Sequence, residues 1–134
     1  MIPLTLPVEC GADSESAVQS AIRLALGQLP DVRVWRNSVG ELPATLGGGR
    51  KTRVKFGLAV GSADLLCIVA PAGRWLAIEV KAGDWRPAKS GAKFKHEQEQ
   101  RDWIAVVEKF GGVGGFARSV DEALELLDRA RSKS

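Results

Sequence analysis

Six consecutive apolar residues, Leu65 to Ala70, are followed at once by Pro71, Ala72 and Gly73 and then by a second largely apolar stretch, Trp75 to Lys81. No other feature restricts the fold as strongly. A short unbroken apolar run bounded by turn residues is the pattern of a central strand buried on both faces. The Pro-Ala-Gly turn leaves room for little except a hairpin between the two strands. A chain with a doubly buried strand needs covering layers on both sides, and the remaining sequence provides them. Val18, Ile22, Ala25 and Leu29 recur at helical spacing after Asp13 or Ser14, either of which suits a helix cap, and Pro30 and Asp31 close that helix. Gln100, Trp103, Ile104, Val107 and Phe110 mark the core side of a second helix over Glu97 to Phe110, stopped by Gly111 and Gly112. Val120, Ala123, Leu124 and Leu127 mark a third, opened by Ser119 and Glu122 as a capping box, with Arg129, Arg131 and Lys133 suiting its C-terminal dipole and the last few residues fraying. Further strands are expected at Val32 to Arg36, at Arg53 to Leu58 with Val54 and Phe56 on one face, and at Val113 to Arg118. Asn37 to Gly49 reads as a polar, glycine-rich connection, Gly57 and Gly61 bracket a turn, and Ala82 to Lys95 reads as a basic loop. The order helix, three or four strands, helix, strand, helix predicts an α/β chain with a central mixed sheet flanked by helices, one domain over 1–134 with its core at about 13–130.

Composition excludes more than it asserts. The chain has 134 residues and a net charge of +3, with two cysteines and one histidine. Its length supports one hydrophobic core without disulfides. Cys67 sits in the apolar run as a small hydrophobe and Cys10 in an N-terminal loop, so no disulfide framework or thiolate zinc site is expected. A single histidine, His96, rules out a histidine-cluster metal site; it is expected in solvent. No apolar run is long enough to span a bilayer, and Met1 to Val8 carries no basic segment ahead of its apolar residues, so no membrane association and a cytoplasmic location are expected. Gly47 to Thr52 has the look of a phosphate loop but lacks a glycine directly before Lys51, which argues against a nucleotide cofactor.

The modest net charge conceals two basic stretches. Arg50, Lys51, Arg53 and Lys55 form one; Arg86, Lys89, Lys93 and Lys95 form the other. Both are candidate contacts to a nucleic-acid backbone. Trp85 and Phe94 lie within the second, placed either to stack on unpaired bases or to pack that loop against its own domain.

Three charged residues occupy positions that an ordinary core would not use. Asp64 opens the apolar run, and Glu79 and Lys81 close the facing strand. Residues two apart on a strand share a face, so Glu79 and Lys81 lie together, opposite Leu76, Ile78 and Val80. One reading is a salt bridge at an exposed sheet edge between Lys81 and one carboxylate, a common and weak arrangement. The other is a metal site. The strand around Glu79 is otherwise apolar, which makes its charge costly without a compensating ion. One lysine set against two acids also leaves a negative excess. A hard cation such as Mg²⁺ or Mn²⁺ takes one or two carboxylates and completes its shell with water and substrate phosphate. Asp64 and Glu79 are the candidate carboxylates and the Val80 carbonyl a candidate backbone ligand, while Lys81 would position water and offset charge on a reacting phosphate. The chemistry is phosphodiester hydrolysis.

The ordered set of motifs resembles a known superfamily. Gly61-Ser62-Ala63-Asp64, a turn, and Ile78-Glu79-Val80-Lys81 are similar to the PD-(D/E)XK nucleases, and the match is closer to their virus-type replication-repair branch, the VRR-NUC domain. That branch carries a glutamate on the first helix, an Arg-X-X-Phe-Gly segment, a glutamine on the helix after the Glu-X-Lys strand, and a Gly-Gly turn. This chain has Glu15, Arg53 to Gly57, Gln100, and Gly111-Gly112, with Ala117-Arg118-Ser119-Val120 closing in the same style. The resemblance spans roughly Glu15 to Leu127. Ala63 stands where the superfamily name has proline, a turn-shaping position. Taken alone, Glu15 reads as a first-turn acid favoured by the helix dipole, and Gln100 as a surface glutamine. The resemblance implies instead that Glu15 is a direct or water-mediated ligand and that Gln100, or else Gln98, belongs to the site. It implies a Mg²⁺- or Mn²⁺-dependent endodeoxyribonuclease of phage or mobile-element type, acting as a homodimer on branched DNA in the manner of a Holliday junction resolvase. Two further readings stand beside it: a DNA-binding module of the same fold with dormant or partner-dependent cleavage, and a restriction-type or RNA-directed nuclease using the same metal site.

Overall fold

A computed structural model describes residues 12–133; Cys10 and the Met1 to Val8 segment lie outside the described residues. Ser14 opens the first helix, α1 (Glu15–Gly27), by accepting a hydrogen bond from the Ala17 amide at 3.1 Å, a cap worth about 1 kcal/mol. Strand β1 (Val32–Arg36) follows, then β2 (Gly40–Thr45), a short 3₁₀ turn at Gly47–Gly49, and β3 (Lys51–Phe56). The apolar run forms β4 (Leu65–Val69) and the stretch after it β5 (Arg74–Val80). Helix α2 (Gly91–Lys109), strand β6 (Val113–Ala117) and helix α3 (Val120–Ser132) complete the chain.

The main sheet has the order β1-β4-β5-β6. The pairs β1–β4 and β4–β5 are antiparallel and β5–β6 is parallel, so the sheet is mixed. The register sets Leu65 opposite Ile78 and Cys67 opposite Leu76. Helices α1 and α3 pack on one face over Leu65, Cys67, Val69, Leu76, Ile78, Val80 and Val113. Helix α2 packs on the other, where Trp103 and Val107 meet Ala63, Leu66 and Ala77. Gly114 permits this approach: a Cβ there would stand 2.9 Å from Ile104 Cγ2 and 3.3 Å from the Ala77 carbonyl. The result is a single small α/β domain, a mixed sheet flanked by helices.

Several expectations need correction. The stretch from Asn37 to Gly49 is not merely a connection, because Gly40–Thr45 pairs with Lys51–Phe56 as a separate two-stranded sheet. Five strands therefore precede α2. Pro43 hid β2, since a strand proline is tolerated only at edges, and a two-stranded ribbon consists of edges. Val54 and Phe56 share a face as expected but remain exposed, because nothing in the main sheet pairs with that ribbon. Helix α2 begins at Gly91, six residues before Glu97, so Lys93, Phe94, Lys95 and His96 are helical rather than in a loop. Those first turns are exposed throughout and carry no apolar stripe to betray them. Phe110 is 84% exposed at the helix end and is not core. Leu26, Leu126 and Ala130 are core residues that the spacing did not single out.

The capping box at α3 is half formed. Ser119 accepts from the Glu122 amide at 3.1 Å, but the Glu122 carboxylate turns to the backbone and guanidinium of Arg118. At the far end, Arg131 clasps Asp31 with two bonds, Arg129 reaches Glu108, and Lys133 donates to the Gly112 carbonyl. Arg74 also bonds the Lys133 carbonyl at 2.6 Å, so the end of α3 is anchored as far as Lys133.

Candidate active site

The β4–β5 register brings the charged ends of the two strands together. With Leu65 opposite Ile78, Asp64 falls beside Glu79 and Val80, and its Oδ2 accepts from the Val80 amide at 2.9 Å. The loop before Asp64 is held on both sides. Gly61 has φ +85°, and a Cβ there would collide with the Glu99 carbonyl of α2 at 2.7 Å, so this turn needs glycine for its dihedral and its closeness. Asn37 reaches across from the end of β1, donating to Ser62 Oγ at 2.8 Å and to the Ala63 carbonyl at 2.9 Å. Its backbone amide bonds the Asp64 carbonyl at 2.7 Å. Asp64 is thus fixed by two neighbours, Val80 at its side chain and Asn37 at its backbone.

Glu79 and Lys81 lie on the sheet face that carries α2, and both are buried, 4% and 8% exposed. Lys81 does not neutralise the acids. Its Nζ donates to Gln100 Oε1 at 2.9 Å, and among the described residues it forms no ion pair with a carboxylate within 4.0 Å. Its ammonium instead sits 5.6 Å from the Trp85 ring centroid and 5.4 Å from that of Phe116, within cation–π range. The exposed edge salt bridge is therefore not what the chain forms. Glu79, buried and within hydrogen-bonding reach of the Asp64 carboxyl, is pushed well above the ordinary carboxylate range, first by burial and then by Asp64; Lys81 opposes this. Glu15, at the start of α1, is also raised, by burial and then by the Asp64 charge, with Lys81 and His96 pulling the other way.

Glu15, Asp64, Glu79, Lys81 and Gln100 line one cavity of about 370 Å³, whose wall also includes Asn37, Ser62 and His96. A second cavity of about 660 Å³ shares Glu15, Lys81 and His96 with it and adds Trp85, Arg86 and Lys93. His96 is exposed, as expected, and borders both cavities, with its Nε2 3.3 Å from Gln100 Nε2. Gln100 is 5% exposed and engages Lys81, whereas Gln98 is exposed and bonds Asp102. Of the two glutamines, Gln100 is the one in the cavity.

The basic residues divide. Arg86 and Lys93 line the second cavity. Lys89 and Lys95 are exposed at the start of α2 and just before it. Arg50, Lys51, Arg53 and Lys55 belong to the β2–β3 ribbon and its turn, where Arg53 pairs with Glu41 and Lys51 donates to Thr45. The ribbon springs from the cavity wall, since Val39 and Val60, flanking its two strands, both line the first cavity. Gly47 to Thr52 is a 3₁₀ turn leading into β3, without the helix a phosphate loop requires. Trp85 packs against its own domain, edge-on to Phe116 with ring centroids 5.1 Å apart; Phe94 is exposed. Cys67 is buried, with its thiol pushed up to about 12 by burial, so it is inert core.

Sequence reasoning missed Asn37 and Glu97. Asn37 acts across 25 residues of chain, and no local pattern announces such a contact. Glu97 is a buried acid in a helix whose polar and apolar positions do not alternate cleanly; a glutamate three residues before Gln100 on the inward side was the available signal.

A divalent cation fits this donor set in one particular way. Among the described residues there is no group of three or more His, Cys, Asp or Glu side chains able to hold a metal. Two carboxylates side by side, open to a cavity of about 370 Å³, suit a cation that keeps most of its shell as water or substrate oxygen. No family model matches the chain, and no curated protein or solved structure matches it.

Proposed function

We propose that the chain is a Mg²⁺- or Mn²⁺-dependent phosphodiester hydrolase acting on DNA, of the PD-(D/E)XK kind and similar to its VRR-NUC branch. The observation that carries this reading is the separation of charges in the cavity. Asp64 and Glu79 face it side by side, while the buried lysine beside them is held by Gln100 and two aromatic rings rather than spent on neutralising them. An arrangement selected only for stability would pair Lys81 with an acid or replace all three by apolar residues.

In this reading Asp64 and Glu79 would hold the cation, with Glu15 a direct or water-mediated ligand and the Val80 carbonyl a further candidate ligand. The cation, when bound, supplies Lewis-acid polarisation of the phosphate and a more acidic water. The Val80 amide keeps Asp64 oriented. Lys81, fixed by Gln100, offsets negative charge that develops on the phosphate. Arg86 and Lys93, which line the neighbouring cavity, would meet the adjoining DNA backbone, and Arg50, Lys51, Arg53 and Lys55, on the ribbon and its turn, a more distant part of it. Lys89 and Lys95 extend the same basic surface. The proposed substrate is branched DNA cut by a homodimer, since two symmetric incisions at a four-way junction call for two symmetric sites. No helix among the described residues is long and apolar enough to cross a membrane.

The test is cleavage of end-labelled four-way junction, flap and plain duplex with Mg²⁺ or Mn²⁺. Metal-dependent cutting of the junction is expected. Equal cutting of plain duplex removes the junction preference. Among the described residues no group of three or more metal-ligating side chains is assembled, which favours one alternative specifically, a binding module of this fold; junction binding without cutting under either metal would establish it. Sedimentation at micromolar concentration separately tests the dimer, and a strict monomer argues against paired incision.

A further inference from the structure

Glu97 is 5% exposed, and its carboxylate is fully engaged. Oε2 accepts from the Trp85 indole Nε1 at 3.0 Å, Oε1 accepts from the Ala88 amide at 2.9 Å, and Arg101 stands 3.7 Å away one helical turn on. Two of these partners, Trp85 and Arg101, bear on Lys81. Trp85 is one wall of the aromatic box around the Lys81 ammonium. Phe116 is the other wall; Trp85 packs edge-on against it, and the Arg101 guanidinium lies 5.5 Å from its ring centroid. Glu97 is therefore the shared anchor of both walls, although it does not touch the lysine itself.

Lys81 has one hydrogen-bond acceptor, Gln100, yet lies close enough to Glu15 and Glu79 to influence both. A flexible ammonium in that position would collapse onto the carboxylates unless its other sides were occupied. We propose that Glu97 is a positioning residue, which pins Trp85 and the 82–90 loop so that the aromatic box keeps Lys81 on Gln100 and off the acid pair. The inference deepens the nuclease reading and rests on it for its catalytic consequence. Its structural content stands apart from that reading. Burial opposes ionisation of Glu97, but the Ala88 amide, the Trp85 indole and the charges of Lys81 and Arg101 together hold its pKa low.

The experiment has one arm that needs no nuclease activity. Metal-free wild type, Glu97→Gln, Glu97→Ala and Trp85→Phe are treated with an amine-acetylating reagent, and the rate of Lys81 modification is read by peptide mass spectrometry. Glu97→Gln loses one acceptor bond, and Trp85→Phe keeps a ring but loses the indole donor. All three variants are expected to label Lys81 severalfold more slowly than wild type, because an ammonium drawn onto the carboxylates is a poorer nucleophile, with Lys109, which is remote from the box, unchanged. In the second arm, cleavage by the same variants with Mg²⁺ should show kcat reduced by roughly 10- to 100-fold, the range for groups that orient a site from outside it, with KM little changed. Unaltered Lys81 labelling in a folded Trp85→Phe or Glu97→Gln protein overturns the proposal. A wild type that never cuts, with labelling slowed in the variants as described, removes the nuclease reading and leaves the positioning role standing. If Glu97→Ala fails to fold, the two milder variants decide the matter.

Discussion

On one face of the four-stranded sheet, α1 and α3 close over Leu65, Cys67, Val69, Leu76, Ile78 and Val80. On the other, α2 covers Ala77 and Leu66 and then leaves Glu79, Lys81 and Gln100 buried beside an open cavity. The same two strands supply both faces, and side chains alternate between them. The first face is held by apolar burial, which is tolerant and cooperative. The second is held by individual bonds, Asp64 to Val80, Lys81 to Gln100 and Glu97 to Trp85, each with a defined partner. Stability and chemistry are thereby separated across one layer of backbone, and substitutions on the two sides should fail in different ways.

The largest expected effect lies on the polar face. Asp64→Ala or Lys81→Ala should lower metal-dependent DNA cleavage by roughly 10²–10⁴-fold while junction binding persists, measured by cleavage kinetics beside a mobility-shift assay. Parallel loss of binding and cutting would mean that these residues serve the fold. On the apolar face the prediction inverts. Leu127→Ala, at a fully buried position, should cost about 2–5 kcal/mol in urea unfolding and leave kcat of the remaining folded protein nearly unchanged.

A third change sharpens the contrast because it removes a site residue and stabilises the chain. Glu79 is raised above the ordinary carboxylate range by burial and by Asp64. In metal-free protein, folding therefore favours its protonated form. That contribution is complete below the ordinary glutamate range near 4.5 and is lost as pH rises toward the elevated folded value. Glu79→Gln should raise the Tm in EDTA, by about 1–3 kcal/mol of stability at neutral pH, with the gain growing from pH 5 to pH 8. Added Mg²⁺ should then stabilise wild type and not the variant. A gain independent of pH would show that Glu79 does not carry the cost. The smallest effect belongs to the rim. Arg131→Ala removes the partly exposed clasp on Asp31, whose carboxyl the guanidinium holds below its usual value of 3.8. The loss of Tm should be slight at neutral pH. It should vanish as pH falls through the lowered Asp31 value, because the wild-type contribution is itself lost there.

Legibility followed the range of the interactions. Strands β4, β5 and β6, helices α1 and α3, and the turn between β4 and β5 all rest on spacing or turn chemistry within a few residues, and these were readable. Strand β2 was not, because Pro43 reads locally as a break and only pairing with Arg53 makes it a strand position. The early turns of α2 were not, because Gly91 to His96 face solvent and show no stripe. Within the site, Asp64, Glu79 and Lys81 stood out as charges in apolar surroundings. Asn37 and Glu97 did not, since each acquires its role only from partners on another segment.

The sequence by itself determined that Asp64 to Lys81 reads as a buried hairpin carrying two carboxylates and a lysine, because apolar burial and strand alternation favour that arrangement; the register that brings the three to one end came from the structure. Only the tertiary structure decided how those charges are partnered. The docking of α2 sets Gln100 beneath Lys81, and Glu97 and Trp85 around it, and this turns an apparent edge salt bridge into a buried lysine held apart from an acid pair. The physical reason is one of range. Periodicity records which face of an element is buried, whereas the partner of a buried charge depends on which other element is packed there.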